Sequence, residues 1–279
     1  MTSVALTIAG SDSGGGAGIQ ADLKTFQELG VFGTSVLTAI TAQNTRGVHA
    51  VQPVEPAIVQ AQLDAVFSDF PVRAVKTGML YSAELIEMTA EVLRSRKTIP
   101  LVIDPVMIAK GGASLLQEEA VRSLRHGLLP LAALVTPNIP EAEVLTGMTI
   151  RSAVDMENAA RQLLGLGASA VLLKGGHRTD VPFAEDLFLS ADGTSFLMRS
   201  SRIDTQHTHG TGCTFAAAIT AELAKGHSLQ AAARTAKQFI QLAIEHAPGI
   251  GSGHGPTNHA AWRVHNDART EGVELIASN

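Results

Sequence analysis

The chain has 279 residues, of which 45% are hydrophobic but only 4% aromatic, and its formal net charge is -5. A core built from small aliphatic side chains is typical of sheet strands buried on both faces, so the composition favours an α/β fold over an all-β one. Negative charge without a cluster of Lys or Arg argues against a nucleic-acid partner. The length fits a single domain over residues 1–279, with the residues after about 249 as a peripheral segment.

Secretion and membrane insertion are not expected. The single cysteine cannot form a disulfide within the chain, and residues 1–16 lack the charged and apolar regions of a signal peptide. The longest uncharged stretch, 29–45, is rich in polar residues and does not resemble a membrane span. We therefore expect a cytoplasmic protein with no membrane partner.

Short apolar runs alternate with segments of helical period, which predicts βαβ units and a mainly parallel sheet. The predicted strands are 4–10, 34–41, 73–78, 101–106, 133–138 and 170–176, and the predicted helices between them are 19–30, 56–68, 82–95, 117–126 and 152–165. A hairpin over 184–200, with Asp192 and Gly193 at its turn, precedes two helices over 213–225 and 229–246, the second capped by Ser228. We expect these two helices to pack together.

The predicted parallel strands end in chemically useful residues. Because ligands of open α/β sheets bind beyond the carboxyl ends of the strands, we expect these residues to converge along one rim. They are Gly10, Thr77, Asp104, Asn138 and Lys174.

The stretch HTHGTGCT places a glycine loop at the start of a predicted helix. The unpaired N–H groups of Gly210, Thr211, Gly212 and Cys213, together with the helix dipole, would form an anion site. A plain helix start is the alternative. The loop is not a dinucleotide fingerprint, because Phe215 stands where that motif has Gly, and the chain has no P-loop motif.

Cys213 lies at that helix start, where the dipole and the exposed N–H groups are expected to lower the pKa of its thiol. The alternative is a small buried apolar residue, which is what most lone cysteines are.

Asn138 and Glu141 have a spacing that could place an amide and a carboxylate around a hydrated magnesium ion, together with Asp104. Glu141 could equally interact with the N-terminus of its own helix, with Pro140 expected at the first helical position. Lys174 suits a phosphate oxygen or a salt bridge.

Two further polar features have weaker interpretations. The glycine-rich stretch 10–18 could be a phosphate loop, but Asp12 and Asp22 argue against nearby phosphates, and the alternative is a flexible lid or a substrate loop. The histidines, among them His207 and His209, are spaced irregularly without a cysteine pair, so a structural zinc site is not expected.

Taken together, the segments AGSDSGGGAGIQADLKT, TAITAQNTRGV, KTGML, DPVM, TPNIPEAEVL, LLKGGH and THGTGCT resemble the hydroxymethylpyrimidine/phosphomethylpyrimidine kinases of thiamine biosynthesis, which are ribokinase-like enzymes. The resemblance runs in unbroken order from residue 4 to about 246. It implies a three-layer α-β-α fold with a central, mainly parallel sheet, MgATP as phosphoryl donor, and a homodimer.

The same resemblance implies roles for individual residues. Gln43 would read the aminopyrimidine edge with Gly10 and Asp22 nearby, and Met79 and Val106 would contact the ring faces. The implied MgATP positions are Asp104, Asn138, Glu141, Lys174 and Thr208, with residues 210–213 around the transferred phosphoryl group.

Cys213 stands where many related sugar kinases have an aspartate base. A thiolate there would deprotonate the hydroxymethyl group but would not be needed for the monophosphate. On this hypothesis, replacing Cys213 with Ala impairs the first phosphorylation far more than the second.

Three alternatives stay open. A pyridoxal kinase of the same cysteine-containing branch has a substrate of similar size, although the Gln43 amide favours an aminopyrimidine. A thiol-nucleophile hydrolase would use Cys213 with a histidine such as His209 as base. A non-catalytic pyrimidine-binding protein would bind ligand without releasing ADP.

Overall fold

In the computed structural model, the described residues are 2–107, 117–176, 178, 181–265 and 273–277. The strands are β1 (Val4–Asp12), β2 (Phe32–Asn44), β3 (Gly47–Pro53), β4 (Val72–Thr77), β5 (Leu101–Ile103), β6 (Leu134–Val135), β7 (Ala170–Lys174), β8 (Phe183–Ser190), β9 (Ser195–Ser201) and β10 (Val273–Ala277). The helices are α1 (Gly18–Glu28), α2 (Pro56–Asp69), α3 (Ala83–Arg94), α4 (Glu118–Ser123), α5 (Ile139–Thr146), α6 (Ala153–Gly165), α7 (Thr211–Ala224), α8 (Leu229–Glu245) and α9 (Ala261–Val264). A π-helical turn, Leu124–Leu128, and a 3-10 turn, Leu129–Leu131, continue α4.

The ten described strands form one sheet in the order β10-β9-β8-β7-β6-β5-β4-β1-β2-β3. The strands from β2 through β1 and β4 to β7 are parallel, whereas β3 and the strands from β8 to β10 pair antiparallel. The chain crosses to opposite sides of β1 to form β2 and β4, so a topological switch point lies there. Ligands of such sheets bind outside the carboxyl ends of the strands at that point.

Helices cover both faces of the sheet. In β7, Val171 and Leu173 belong to a core shared with α3, α5 and α6, whereas Ala170 and Leu172 belong to a second core shared with α1, α7 and α8. Adjacent residues of a strand point to opposite faces, so a continuous apolar run such as AVLL serves two cores at once. The predicted three-layer α-β-α fold with a mainly parallel sheet is confirmed.

Element boundaries differ from the expected ones where burial is low or the strand is short. The hairpin formed by β8 and β9 is confirmed, with Gly193 at φ 90° in its turn, and Ser228 caps α8 through the Ala231 N–H. β5 and β6 are shorter than expected. β3 was not expected, because it is a largely exposed edge strand whose polar residues carry no alternating pattern.

The segment 249–259 is not peripheral, which corrects the sequence-based expectation. The N–H of His209 donates to the carbonyl of Gly255 at 3.0 Å, and the N–H of Thr257 donates to the carbonyl of His209 at 3.3 Å. His259 Nε2 lies 3.0 Å from the Thr214 hydroxyl in α7. The segment therefore supports the glycine loop from outside. Residues 266–272 and 278–279, like His177 of the LLKGGH segment, lie outside the described residues.

Burial and the neighbouring Lys24 lower the pKa of His259 from 6.5 to about 4. The unfolded chain therefore takes up a proton between these values that the folded chain does not bind, and stability falls as the pH decreases through this range. In urea unfolding, the wild type should lose more stability than His259→Gln when the pH falls from 7 to 4.5. The difference between the two losses should be at most about 3 kcal/mol. The exposed His254→Gln variant should follow the wild type. Equal losses in all three proteins would contradict the assignment.

None of the helices in the described ranges is long and apolar enough to cross a membrane.

Candidate active site

A cleft of about 710 Å³ opens at the carboxyl ends of the parallel strands, at the switch point beside β1. It brings together most of the residues expected at one rim, but Thr77 is fully buried and is replaced there by Gly78 and Met79. Of the candidate site residues, the lining includes Gly10, Gln43, Met79, Asp104, Val106, Asn138, Glu141, Lys174, Thr208, Gly210, Thr211, Gly212 and Cys213.

A buried ion pair stands at the centre of the cleft. Lys174 Nζ, at the end of β7, lies 2.9 Å from Asp104 Oδ1, which follows β5. Burial alone would lower the pKa of Lys174, but the Asp104 and Glu141 carboxylates outweigh it and raise the pKa above its ordinary value. A Cβ added at Gly212 would lie 3.2 Å from this ammonium group. The positively charged Lys174 ammonium group therefore lies next to the start of α7.

The glycine loop before α7 touches the glycine-rich loop after β1. Gly210 caps α7 with φ 81°, and a Cβ at this position would lie 1.7 Å from the carbonyl oxygen of Gly16. A Cβ at Gly16 would in turn lie 2.8 Å from the His209 ring. Only glycine, which lacks a Cβ, allows the two backbones to approach this closely.

The N–H groups of the loop after β1 donate hydrogen bonds within the loop itself. The carboxylate of Asp12 accepts hydrogen bonds from the N–H groups of Gly14 at 2.8 Å, Gly16 at 3.1 Å and Ala17 at 2.8 Å. These donors are therefore not available to a phosphate, which excludes the phosphate-loop interpretation in this conformation and favours the substrate-loop alternative.

Cys213 is the third residue of α7, and its thiol is only partly exposed. The expected lowering of its pKa is wrong. Burial raises the pKa of the thiol to about 12, and the Asp104 and Asp22 carboxylates act in the same direction against the opposing charge of Lys76. Desolvation penalises the thiolate more than one helix terminus stabilises it. The thiol is therefore protonated at neutral pH in the unliganded protein.

The raised pKa predicts how Cys213 reacts with iodoacetamide. Because only the thiolate attacks, the alkylation rate of the folded protein should rise about tenfold per pH unit up to pH 10 without a plateau. The same cysteine in the urea-unfolded chain should approach its plateau near pH 9, which makes it the matched control. A plateau of the alkylation rate below pH 9 in the folded protein would instead support the lowered thiol pKa that the sequence predicts.

Asp22 does not line the cleft, which corrects its expected place beside the substrate. Its side chain is fully buried in α1, where Oδ2 accepts hydrogen bonds from Lys76 at 2.8 Å and from the Thr7 hydroxyl at 2.6 Å. The Asp22 carboxylate offsets the cost of burying Lys76 and holds the pKa of the lysine above its ordinary value. Asp22 therefore positions Lys76, whose charge also acts on the Cys213 thiol.

Asn138 and Glu141 form a capping box at the start of α5. The Asn138 side-chain oxygen accepts the Glu141 N–H at 2.9 Å, and Glu141 Oε2 accepts the Asn138 N–H at 2.8 Å. The helix-terminus interpretation of Glu141 is thus confirmed, although α5 begins at Ile139 and Pro140 is its second residue. Burial raises the pKa of Glu141 to about 7, with Lys174 opposing.

Residues 12–258 match the phosphomethylpyrimidine kinase family. The chain belongs to this family. It is 57% identical over 259 residues to the hydroxymethylpyrimidine/phosphomethylpyrimidine kinase of Haemophilus influenzae, a match that covers 92% of this chain and 96% of that protein. The resemblance inferred from the sequence motifs and the assignment to the phosphotransferases are therefore confirmed.

Solved structures agree with this family assignment. The pyridoxal kinase from Staphylococcus aureus in complex with AMP-PCP and pyridoxal is 36% identical, with a TM-score of 0.87 over 100% of this chain and 99% of that one. The phosphomethylpyrimidine kinase from Clostridium difficile 630 is 46% identical, with a TM-score of 0.77 over 86% of this chain and 99% of that one.

The far end of the kinase cleft holds polar residues that were not predicted from the sequence. Lys237 of α8 is buried and lies 2.7 Å from Asp186 of β8, whose other oxygen accepts the Gly175 N–H at 3.0 Å. Lys237, Asp186 and Gln241 line the cleft beyond Lys174. A lysine among the apolar residues of α8 was the available signal, because a buried lysine requires a partner.

Proposed function

We propose that this cleft catalyses the ATP-dependent phosphorylation of 4-amino-5-hydroxymethyl-2-methylpyrimidine and then of its monophosphate. The proposal rests on one observation: Gln43 and Met79 line one end of a continuous cleft, and Lys174 and the glycine loop line the other end. The 57% identity to the Haemophilus influenzae enzyme, which extends over 92% of this chain, supports the same two reactions.

The pyrimidine is proposed to bind at the end of the cleft formed by β1, β2 and β4. A Cβ at Gly10 would lie 2.4 Å from Met79 Cε, so the glycine allows the methionine to pack closely over the strand. Met79 and Val106 supply apolar surface for the ring, and Gln43 supplies an amide that both donates and accepts hydrogen bonds. Asp22, being fully buried, has no place in this contact.

The phosphates are proposed to bind between Lys174 and the start of α7. Phosphoryl transfer passes through a loose transition state in most analyses, so positioning and charge stabilisation carry most of the catalysis. The N–H groups from Gly210 to Cys213 lie at the positive end of α7 and beside the Lys174 ammonium group. Thr208, which precedes the loop and lines the cleft, is a further nucleotide contact.

Magnesium fits the donor set of this cleft. The Lys174 ammonium group acts on two buried carboxyl groups, Asp104 and Glu141, which supply the hard oxygen donors that magnesium accepts. In the capping box Glu141 accepts a hydrogen bond through Oε2, so its other oxygen, Oε1, is the candidate ligand for the ion. Glu141, with Asp104 and Asn138 through water, would hold the ion, which neutralises phosphate charge when it is bound.

The proposal is tested by product analysis with purified protein and MgATP. We expect the pyrimidine alcohol to be converted to monophosphate and then to diphosphate, each with stoichiometric ADP. Pyridoxal in place of the pyrimidine is the matched acceptor. ADP release without a phosphorylated pyrimidine would contradict the proposal, and pyrimidine binding without ADP would indicate the non-catalytic alternative.

Pyridoxal phosphorylation is the second candidate, because the Staphylococcus aureus pyridoxal kinase matches the whole of this chain. The ratio of kcat/KM for the two acceptors decides between them. The thiol-nucleophile hydrolase has no support, since the Cys213 thiol is protonated and His209 faces Asp12.

Homodimerisation and a cytoplasmic location are further proposals that rest on the likeness to metabolic kinases. Ile40 of β2 is 52% exposed next to the edge strand β3, which offers apolar surface for a second copy. Light scattering of the purified protein tests the dimer.

A further inference from the structure

Four side chains form a chain of contacts between the two glycine loops and the acceptor end of the cleft. His209 Nε2 lies 2.8 Å from Asp12 Oδ2 and 3.2 Å from the side-chain nitrogen of Gln43. On the other side of Gln43, the Thr41 hydroxyl lies 3.4 Å from the amide oxygen and 2.7 Å from the carbonyl oxygen of Ser11.

The contact with Asp12 determines where His209 carries its proton. Asp12 Oδ2 also accepts the N–H groups of Gly16 and Ala17, and a carboxylate offers only lone pairs to such donors. Burial opposes ionisation of Asp12, but hydrogen bonds from His209 and from the N–H groups of Gly14 and Ala17 outweigh it and lower the pKa of the carboxyl group. His209 Nε2 must therefore carry the hydrogen and donate it to Asp12. That nitrogen has no lone pair left to accept an N–H from Gln43.

The contact with Thr41 leads to the same conclusion. A hydroxyl has one hydrogen, and the 2.7 Å bond to the Ser11 carbonyl uses it. The Thr41 oxygen is therefore an acceptor toward Gln43 and requires the amide N–H2 group. The single Nε2 hydrogen of His209 is donated to Asp12, so the Gln43 oxygen can only share it as a second acceptor, whereas an amide N–H2 group at that place would set donor against donor.

We propose that His209, held by Asp12, fixes the Gln43 amide with its oxygen toward the imidazole and its nitrogen toward Thr41. A half-turn of the amide exchanges the two atoms with almost no change in shape. The amide nitrogen then donates to Thr41, and the amide oxygen, rather than a second donor, faces the Nε2–H of His209. Asp12 and His209 are positioning residues that act through Gln43.

The fixed orientation determines what the cleft offers to an acceptor. The amide oxygen keeps a second lone pair, and the amide nitrogen keeps a second hydrogen. An aminopyrimidine carries an amino donor beside a ring-nitrogen acceptor, so the order of donor and acceptor on Gln43 decides whether both bonds form. This step rests on the proposed function for the identity of the acceptor.

A double-mutant cycle tests the proposal. We expect His209→Phe to raise the KM for hydroxymethylpyrimidine by about tenfold, the effect of losing one orienting hydrogen bond, while the KM for ATP changes less than about twofold. In a Gln43→Ala background, His209→Phe should change the pyrimidine KM less than about twofold, because it acts through the missing amide. His209→Asn, which retains a donor, should recover part of the loss. His254→Phe, at an exposed histidine, is the control.

Three results would overturn the proposal. The first is an equal effect of His209→Phe in both backgrounds, and the second is a parallel rise of the ATP KM, since both indicate a general structural role. The third is a wild type that binds no hydroxymethylpyrimidine, which would contradict the proposed function as well.

Calorimetric binding of hydroxymethylpyrimidine without ATP, measured for the same variants, separates this inference from the proposed function. A wild type that binds the pyrimidine without phosphorylating it contradicts only the function.

Discussion

Gly210→Ala is expected to lower kcat/KM for both phosphorylation steps by at least about 100-fold, because displacing catalytic groups by about 1 Å costs this much. The added Cβ would lie 1.7 Å from the Gly16 carbonyl oxygen, so the glycine loop, the loop after β1, or both must move. The shift displaces the amides at the start of α7 together with His209. Steady-state kinetics with each acceptor measures the loss.

Gly226→Ala is the matched control for backbone strain. Gly226 ends α7 with φ 92°, in the same left-handed region, but no atom lies within 4 Å of its added Cβ. We expect this variant to lose about 1 kcal/mol of stability and to keep its activity. Full activity in Gly210→Ala, or equal inactivation of both variants, would contradict the role of the loop contact.

Lys174→Met is expected to reduce kcat/KM for ATP by about 1000-fold, since it removes the cation that faces the transferred phosphate. The variant also leaves Asp104, which is 2% exposed, without its cation. Leaving one member of a buried ion pair unpaired costs about 3 to 5 kcal/mol, so urea unfolding should show a large loss of stability.

Two further variants separate the effects of Lys174 on activity and on folding. Asp104→Asn in the Lys174→Met background should recover stability without activity, because the buried charge is then absent. Arg161→Met breaks an exposed pair with Glu157 and should cost less than about 1 kcal/mol. Near-normal ATP kinetics in Lys174→Met would show that the lysine has only a structural role.

The sequence predicted features that depend on local pattern or on strand order. The strand ends at Gly10, Asp104, Asn138 and Lys174 meet at one cleft because parallel strands present their carboxyl ends on one side. The hairpin turn at Gly193 and the cap at Ser228 follow from residue types at single positions.

Features that depend on tertiary contacts were missed or predicted wrongly. The pKa of Cys213 was expected to fall from a local rule about helix termini, but burial by distant segments raises it to about 12. Asp22 and Lys76 are 54 residues apart, and Asp12 and His209 are 197 apart, so no spacing in the sequence reveals either pair. The packing of the segment after Gly249 against the glycine loop is equally non-local.

On the proposed function, the amides of one glycine loop, rather than a cysteine thiolate, serve both phosphoryl transfers. The most direct test measures single-turnover rates of Cys213→Ala with the pyrimidine alcohol and with its monophosphate. Because the thiol is protonated in the unliganded protein, we now expect the two rates to fall by similar factors, which differs from the expectation based on sequence. A loss of about 100-fold or more confined to the alcohol, the size of general-base catalysis, would contradict the claim and assign the thiolate as base.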